Sequence, residues 1–255
     1  MAAFLDTESV DISNVIREEG TKTTLAFVAV DRDAKPEFRF YRDQAADISL
    51  RIDELALVQP ASFSVHHCGG IVLAEEPSAS AYVSLVDRFF EQDIPVSLDP
   101  TVRKSLISDS DSYLALLRKI AAKVSILKVS NEELQFMTGI EDFDRAVKAL
   151  PMKKGALVFI TLGKAGSSVY RDGNKLAPVP GFPVKVVETT GCGDCFMAAT
   201  LAQLAGQSVA QLAEIGAEKL VCGQAGRQRG GGNRCHACRR RQGEPYSRGS
   251  PGIPG

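Results

Sequence analysis

The sequence has no excess of charge of either sign and no long hydrophobic run. Its 30 Lys and Arg nearly balance 31 Asp and Glu, so net charge indicates neither a nucleic acid nor a membrane as partner of the whole chain. No apolar stretch approaches the length that spans a bilayer, and Met1 to Asp11 lack the basic and apolar regions of a secretory signal. We therefore expect a cytoplasmic protein, with a plastid as the alternative.

Cysteine and histidine are sparse and do not form an obvious metal site. The six cysteines are scattered, which in a chain without a signal peptide favours thiols over a disulfide framework. Cys235 and Cys238 form a C-x-x-C without a second ligand pair, a weak indication of zinc. His66 and His67 adjoin a predicted strand end and should point to opposite faces, which predicts a structural role.

Strand-like and helix-like segments alternate along the chain, which predicts an α/β fold with a mostly parallel sheet. The predicted strands are Thr23–Val30, Phe38–Arg42, Phe63–His67, Pro95–Leu98, Val124–Val129, Leu157–Thr161 and a hairpin of Ser167–Tyr170 with Lys175–Val179. The predicted helices, from apolar residues at three- and four-residue spacing, are Ser78–Gln92, Tyr113–Lys123, Glu132–Thr138, Phe143–Leu150, Cys195–Leu204 and Val209–Val221.

The composition changes sharply near Gly223. From Arg227 to Gly255 there are seven Arg, one Glu and a single large aliphatic residue, Ile253. Such a segment cannot bury enough apolar surface to offset its ordering entropy. We predict one globular domain over residues 1–222 and a disordered Arg/Gly-rich tail over 223–255. Weak, salt-sensitive binding of nucleic acid by the tail is an alternative role, for which Tyr246 is the only stacking aromatic.

The stretch Thr189–Phe196 (Thr-Thr-Gly-Cys-Gly-Asp-Cys-Phe) carries the clearest chemical pattern. Gly191 and Gly193 let backbone N–H groups approach an anion at the start of a predicted helix, where the helix dipole is favourable. Asp194, directly after them, is placed to accept a proton from an attacking hydroxyl, a combination that phosphoryl transfer requires. The alternative is structural: a tight glycine turn with Asp194 as the helix N-cap.

Two other nucleotide-binding motifs do not fit. Phe196 stands where a dinucleotide-binding fingerprint requires its third glycine, and Ala165 follows Gly163-Lys164 where a Walker A loop requires Ser or Thr.

The Thr189–Phe196 stretch strongly resembles the C-terminal signature of the ribokinase (PfkB) family of carbohydrate kinases, and the chain as a whole is most like a fructokinase. The resemblance implies a three-layer α/β/α ribokinase-like fold with a mostly parallel central sheet and a small β lid at about residues 20–50. It also implies that Asp194 is the catalytic base beside the sugar, and that the amides of Gly191, Cys192 and Gly193 form an anion hole.

Two further segments resemble the family's nucleotide-binding region. Ile160–Gly166 is similar to its T-L-G-x-x-G loop, and Lys128–Gly139 to the segment that usually contains N-x-x-E. The resemblance implies nucleotide contacts from Lys128, Ser130, Thr161, Gly163 and Gly166, with ATP and Mg²⁺ as cofactors and a monovalent cation left open. Glu133 would help to place magnesium through water, although Ser130-x-x-Glu133 also fits a capping box. An ordinary strand exit is the alternative for Ile160–Gly166.

Two segments resemble the sugar-binding residues of the family. Phe40-Tyr41-Arg42 is similar to the F-Y-R of fructokinases, and Asp99-Pro100-Thr101-Val102-Arg103 to their D-P-N-x-R. The resemblance implies that Arg42 and Arg103 face the sugar. An exposed lid-strand arginine is the alternative for Arg42, and a helix cap or a carboxylate pair is the alternative for Arg103.

The resemblance extends from about Asp6 to Leu220 and lacks the family's G-G-x-x-x-N segment and its C-terminal G-A-x-x-x-x-P tail. We therefore expect a fold incomplete at the N-terminus and aberrant at the C-terminus, the latter from a reading-frame shift or a wrong exon junction. The implied activity is ATP-dependent phosphorylation of fructose to fructose 6-phosphate. The alternatives are 2-keto-3-deoxygluconate kinase and a catalytically dead fragment. Expected partners are a small sugar and ATP, without a membrane or specific nucleic acid, and a homodimer through the lid.

Overall fold

The computed structural model of the protein describes residues 2–30, 36–181, 183 and 189–220. Its eight strands are β1 (Leu25–Val30), β2 (Pro36–Tyr41), β3 (His66–Gly69), β4 (Val96–Asp99), β5 (Ile126–Ser130), β6 (Leu157–Thr161), β7 (Gly166–Arg171) and β8 (Asn174–Pro180). Its α-helices are α1 (Ala2–Thr7), α2 (Ser78–Glu91), α3 (Ser110–Ala121), α4 (Asn131–Thr138), α5 (Phe143–Ala149), α6 (Cys192–Leu204) and α7 (Val209–Glu214).

The central sheet runs from β3 to β8 in chain order. The strands β3, β4, β5 and β6 are parallel, and the hairpin β7–β8 adds two antiparallel strands at one edge. The predicted mostly parallel sheet is therefore confirmed. Because parallel strands share their direction, the carboxyl ends of β3 to β6 lie along one edge, where open α/β sheets bind ligands.

Helices cover both faces of this sheet. One core packs α2, α3, α4 and α5 against one face, and a second packs α6 and α7 against the other. Leu127 and Val129 of β5 belong to the first core, whereas Ile126 belongs to the second, as the two-residue period of a strand requires. Strands that are buried on both faces have continuous apolar sequences. Because helices cover both faces of the sheet, the predicted three-layer α/β/α fold is confirmed.

Several predicted boundaries differ from the observed ones, among them the start of α6, which is Cys192 and not Cys195. The strand predicted at Phe63–His67 is β3, His66–Gly69, because a 3₁₀ turn starting at Pro60 precedes it and β3 pairs in register with β4. The helix predicted from Tyr113 begins at Ser110, where the Asp109 carboxylate caps it by accepting the N–H groups of the next turn. The helix predicted at Val209–Val221 is interrupted after Glu214, where the next residue has an extended ψ of 127°.

The predicted tail, including the C-x-x-C of Cys235 and Cys238, lies outside the described residues. Among the described helices, none is long and apolar enough to cross a membrane.

The lid is the antiparallel ribbon β1–β2, which forms a sheet of its own. Large apolar side chains on both of its faces are open to solvent: Phe27 is 59% exposed, Val28 49% and Tyr41 62%. The ribbon thus projects from the body instead of contributing to either core.

His66 makes folding stability dependent on pH. Its ring stacks on Phe89 at 4.7 Å between centroids, and burial, assisted by the neighbouring His67, lowers the pKa of His66 from 6.5 to about 4. Between these values the unfolded chain binds more protons than the folded one, so stability falls as pH drops through this window, by up to about 3 kcal/mol for this group. We expect urea midpoints to fall more steeply from pH 6.5 to about 4 in the wild type than in His66→Gln; parallel curves would contradict this.

Candidate active site

The start of α6 places Asp194 in the first turn of a helix at the sheet's ligand-binding edge. Gly191 is the N-cap with a left-handed φ of 76°, and the helix begins at Cys192. The interpretation of Asp194 as N-cap is therefore wrong, because the glycine ends the loop three residues earlier. The Asp194 carboxylate is exposed, while the N–H groups of this turn lie at the positive end of the helix dipole.

A buried ion pair joins the ends of β4 and β5. Lys128 Nζ lies 3.1 and 2.9 Å from the two carboxylate oxygens of Asp99, and both side chains are less than a tenth exposed. Burial raises the pKa of Asp99 above its ordinary value, and the Lys128 ammonium opposes that rise. A paired lysine at this depth is a fixed positive charge at the site.

Lys128 also packs directly beneath the glycine turn of α6. A Cβ atom added at Gly193 would lie 3.0 Å from Lys128 Nζ, tighter than an ordinary contact. The turn therefore rests closely on the ammonium, and a side chain at this position would require Lys128 to shift by a few tenths of an ångström. The same turn also holds Asp194, so its carboxylate and the buried cation share one small region.

His67 belongs to this polar cluster. Its Nδ1 is 2.8 Å from Ser97 Oγ. Burial lowers the pKa of His67, and the nearby carboxylates of Asp99 and Asp194 oppose that shift. Sequence reasoning missed His67 and Asp99 as site residues; the available signal was that His67 ends one predicted strand and Asp99 directly follows another.

The backbone of β3 also approaches β4 unusually closely. At Gly69, with φ of 149°, an added Cβ would lie 1.8 Å from the carbonyl oxygen of Asp99. Only glycine permits this approach, which fixes the end of β3 against the ion-paired aspartate.

Glu133 links the loop after β4 to the start of α4. Its Oε1 accepts the N–H of Val102 at 2.9 Å, and its Oε2 accepts the N–H of Ser130 at 2.8 Å. Ser130 Oγ accepts the Glu133 N–H in return at 3.2 Å. The capping box is confirmed, and the carboxylate is buried with both oxygens already bonded to the backbone.

The residues expected to contact nucleotide lie side by side on the neighbouring strand ends. Ser130 and Thr161 are paired across β5 and β6, and a 3₁₀ turn at Gly163–Ala165 follows. Gly166 starts β7 with φ of 102°, and a Cβ there would lie 2.0 Å from the carbonyl oxygen of Val179. Glycine is therefore required at this position, because the start of β7 packs directly on the backbone at the end of β8.

The two arginines expected to face sugar differ in their surroundings. Arg42, just after β2, is buried and donates to Asp47 Oδ2 at 3.1 and 2.7 Å and to the Ile71 carbonyl at 3.1 Å. The alternative of an exposed lid arginine is wrong, because these bonds hold Arg42 against the body.

Arg103 is half-buried, and its guanidinium carbon lies 4.7 Å from the ring centroid of Phe38 in the lid strand β2. It precedes the 3₁₀ turn Lys104–Leu106 without making a side-chain cap bond. Within the described residues it also has no ion pair with a carboxylate. Both structural alternatives for Arg103 are therefore contradicted.

The cluster suits a phosphate ligand better than a dedicated metal cage. A glycine turn at a helix N-terminus, above a buried lysine, offers N–H donors and positive charge to an anion. No group of three or more His, Cys, Asp or Glu that could hold a metal ion occurs among the described residues. Magnesium in kinases is held by one or two carboxylates together with water and substrate phosphates, and Glu133 and Asp194 are compatible with that arrangement.

Comparison with known proteins gives a consistent result. The model of the pfkB family carbohydrate kinases matches residues 1–235. Fructokinase-1 of Zea mays is 35% identical over 80% of this chain and 63% of its own length, and fructokinase-2 of Solanum lycopersicum is 32% identical over 88% of this chain and 70% of its own length. The chain thus spans 63 to 70% of the length of these two relatives.

A solved structure has the same fold. The crystal structure of fructokinase from Vibrio cholerae O395, with fructose, ADP and a calcium ion bound, superposes with a TM-score of 0.74 at 26% identity, covering 91% of this chain and 73% of the other. The match of the family model over most of the chain, and the agreement in fold, identify the family. This chain belongs to the pfkB family of carbohydrate kinases.

Proposed function

We propose that this protein transfers the terminal phosphoryl group of ATP to fructose, forming fructose 6-phosphate. The observation that carries the proposal is the start of α6, where Gly191, Gly193 and Asp194 lie above the buried Lys128 at the carboxyl edge of the sheet. The fructokinase relatives support the choice of sugar.

In this proposal Asp194 is the catalytic base. It is exposed at the ligand-binding edge, so a sugar hydroxyl can reach it and transfer its proton as the oxygen attacks phosphorus. The N–H groups of Gly191 and Gly193 and the charge of Lys128 stabilise the negative charge that spreads over the transferring phosphoryl oxygens. The N–H of Cys192, the third donor expected from the family resemblance, is bonded to the Thr189 carbonyl at 3.1 Å and has to leave it to take part. The Asp194 carboxylate and the anion-binding N–H groups belong to one turn, so the fold fixes their relative positions.

The nucleotide is proposed to bind at the ends of β5 and β6. Ser130 and Thr161 are neighbours there, and Gly163, where an added Cβ would meet no atom within 4 Å, leaves space for phosphate or ribose beside the turn. Gly166 acts indirectly, because it lets the start of β7 pack on the backbone at the end of β8.

The sugar is proposed to lie towards the lid. Arg103 stacks on Phe38 there, and Arg42 has spare N–H groups beyond its bonds to Asp47 and Ile71.

Glu133 is proposed to help place magnesium, which would neutralise charge on the phosphates. Changing Glu133 to Gln removes the carboxylate charge. It also places an amide NH₂ donor opposite a backbone N–H donor, where the carboxylate oxygen accepted a hydrogen bond. We expect the magnesium concentration for half-maximal turnover to rise about tenfold, as for supporting residues at other metal sites, and stability to fall by about 1–3 kcal/mol. Both are measured, by magnesium titration of ADP release and by urea unfolding.

The matched control is Glu132→Gln, because this neighbour is exposed. It should change neither quantity. Loss of stability in Glu133→Gln with an unchanged magnesium requirement would leave only the capping role.

The lid supports the expectation of a homodimer, since Leu25, Phe27, Val28 and Tyr41 expose apolar surface on the ribbon. This assembly stays a prediction.

The function is tested by measuring ADP release from the purified chain with ATP, magnesium and either fructose or 2-keto-3-deoxygluconate. Fructose-dependent release, with fructose 6-phosphate as product, is the expected result. Turnover of 2-keto-3-deoxygluconate alone would replace the substrate, and a folded chain inactive with both would indicate a catalytically dead relative.

A further inference from the structure

We propose that Cys192 and Cys195 form a reversible disulfide that switches the active site off. This inference rests on the proposed function, because the site it regulates is the turn that carries Asp194. Cys192 and Cys195 occupy the first and fourth positions of α6 and enclose Gly193 and Asp194 between them. The spacing is a C-x-x-C, as at Cys235 and Cys238 of the tail.

Of the cysteines in the described part of the chain, only this pair has access to solvent. Cys192 is exposed and Cys195 is half-buried, whereas Cys68 is fully enclosed. Burial raises the pKa of the Cys68 thiol to about 12, so it remains a protonated, unreactive group. A helix N-terminus instead favours the thiolate form, which is the reactive one in C-x-x-C motifs.

The helix brings the two cysteines to the same face at nearly the right separation. Residues three apart on a helix have Cβ atoms about 5–6 Å apart, and a disulfide requires about 3.5–4.5 Å. The bridge can therefore form, but only if the first turn of α6 tightens by about 1–2 Å.

That movement falls on the residues proposed to react. Cys192 donates its N–H to the Thr189 carbonyl at 3.1 Å, and Cys195 donates to the Gly191 carbonyl at 2.9 Å. These two bonds set the shape of the glycine turn, so tightening it displaces the anion-binding amides and Asp194 together. Displacements of about 1 Å in a catalytic site can reduce the rate about 100-fold, and we expect a loss between about 10- and 100-fold.

Oxidation can proceed with a low-molecular-weight disulfide such as glutathione disulfide. The Cys192 thiolate attacks one sulfur of glutathione disulfide, forming a mixed disulfide and releasing one glutathione thiolate. The Cys195 thiolate then attacks the Cys192 sulfur and releases the second glutathione. Two electrons pass from the protein to glutathione disulfide, and the two thiol protons end on the two glutathiones. A dithiol reductant reverses both steps.

The test equilibrates the purified full chain in buffers of varied reduced-to-oxidised glutathione ratio, blocks remaining thiols and measures both kinase activity and peptide mass. Trypsin should release residues 186–219, which contain Cys192 and Cys195 and no other cysteine. We expect this peptide to change, in proportion to the activity lost, from a form with two blocked thiols to an unblocked form two hydrogen atoms lighter than the free dithiol peptide, and dithiothreitol to restore both the mass and the activity. A peptide that stays reduced at every ratio, or a disulfide without loss of activity, would overturn the proposal.

Two variants separate the bridge from other thiol chemistry. Cys195→Ser should keep its activity in reducing buffer and lose its sensitivity to oxidised glutathione, while the tail variant Cys235→Ser/Cys238→Ser, which removes the other C-x-x-C, should remain sensitive. Equal inactivation of Cys195→Ser would mean that modification of a single thiol is sufficient, and would refute the bridge.

A failure of the proposed function is distinguishable from a failure of this inference. If the reduced chain is folded but phosphorylates no sugar, the proposed function fails. The redox proposal is then tested by the peptide masses and by ATP affinity. Formation of the disulfide together with weaker ATP binding would support the redox proposal. Unchanged ATP binding by the bridged chain would overturn it.

Discussion

Asp194→Asn is expected to lower fructose-dependent turnover by about 10²–10⁴-fold, the usual contribution of a positioned base. The amide has nearly the shape of the carboxylate but cannot take the hydroxyl proton. Because Asp194 is exposed and lies in a turn fixed by Gly191, the fold should be unaffected. Turnover is measured as fructose 6-phosphate formed, and ATP affinity by calorimetry should change little.

The control for this prediction is Glu214→Gln, an exposed carboxylate at the end of α7. It removes the same charge from the same face of the sheet and should retain wild-type turnover. Wild-type turnover in Asp194→Asn would exclude this residue as the base. Equal losses in both variants would point to net charge instead of proton transfer.

Lys128→Met is expected to destabilise the protein by about 3–5 kcal/mol, because it leaves the Asp99 carboxylate buried without its partner. The methionine fills a similar volume, so the loss reports the uncompensated charge and not a cavity. The free energy of unfolding is measured by urea titration. At temperatures where the variant is folded, turnover should also fall, since the cation beneath Gly193 is gone.

Lys22→Met provides a matched comparison. Lys22 Nζ lies 2.8 Å from Asp43, as close as the buried pair, but the two side chains are 59% and 81% exposed. Exposed pairs contribute about 0–1 kcal/mol, so this variant should be near wild type. The double variant Asp99→Asn/Lys128→Met should recover part of the loss, since no buried charge remains. Similar losses in Lys128→Met and Lys22→Met would refute the argument from burial.

Sequence patterns were sufficient where the determining interactions are local. The apolar runs of β5 and β6 predicted strands. Ser130 and Glu133 fitted a capping box at the start of α4, because a capping box spans only four residues. The Gly-x-Gly-Asp stretch likewise indicated a helix start, but the helix begins three residues before the predicted Cys195, at Cys192, and its cap is Gly191 instead of Asp194.

The remaining features depend on contacts between distant parts of the chain. Lys128 and Asp99 are 29 residues apart, and nothing in either local segment indicates that they pair. The proximity of His67 to Asp99 and Asp194 depends on the order of strands in the sheet, which periodicity does not determine. The bonds of Arg42 to Asp47 and Ile71 depend on how the lid contacts the rest of the protein. The burial of Arg42 therefore could not be predicted from the sequence.

Glu133 accepts one backbone hydrogen bond from Val102 and another from Ser130, and these bonds affect the thermodynamics of ligand binding. Together with the Lys128–Asp99 ion pair, they immobilise three charged side chains before any ligand binds. Freezing a flexible side chain costs about 0.5–1.5 kcal/mol on association, and here that entropy is lost during folding instead. Binding at this edge should therefore have a small conformational-entropy penalty, and a substitution that loosens Glu133 should weaken affinity through entropy even where it removes no contact with the ligand.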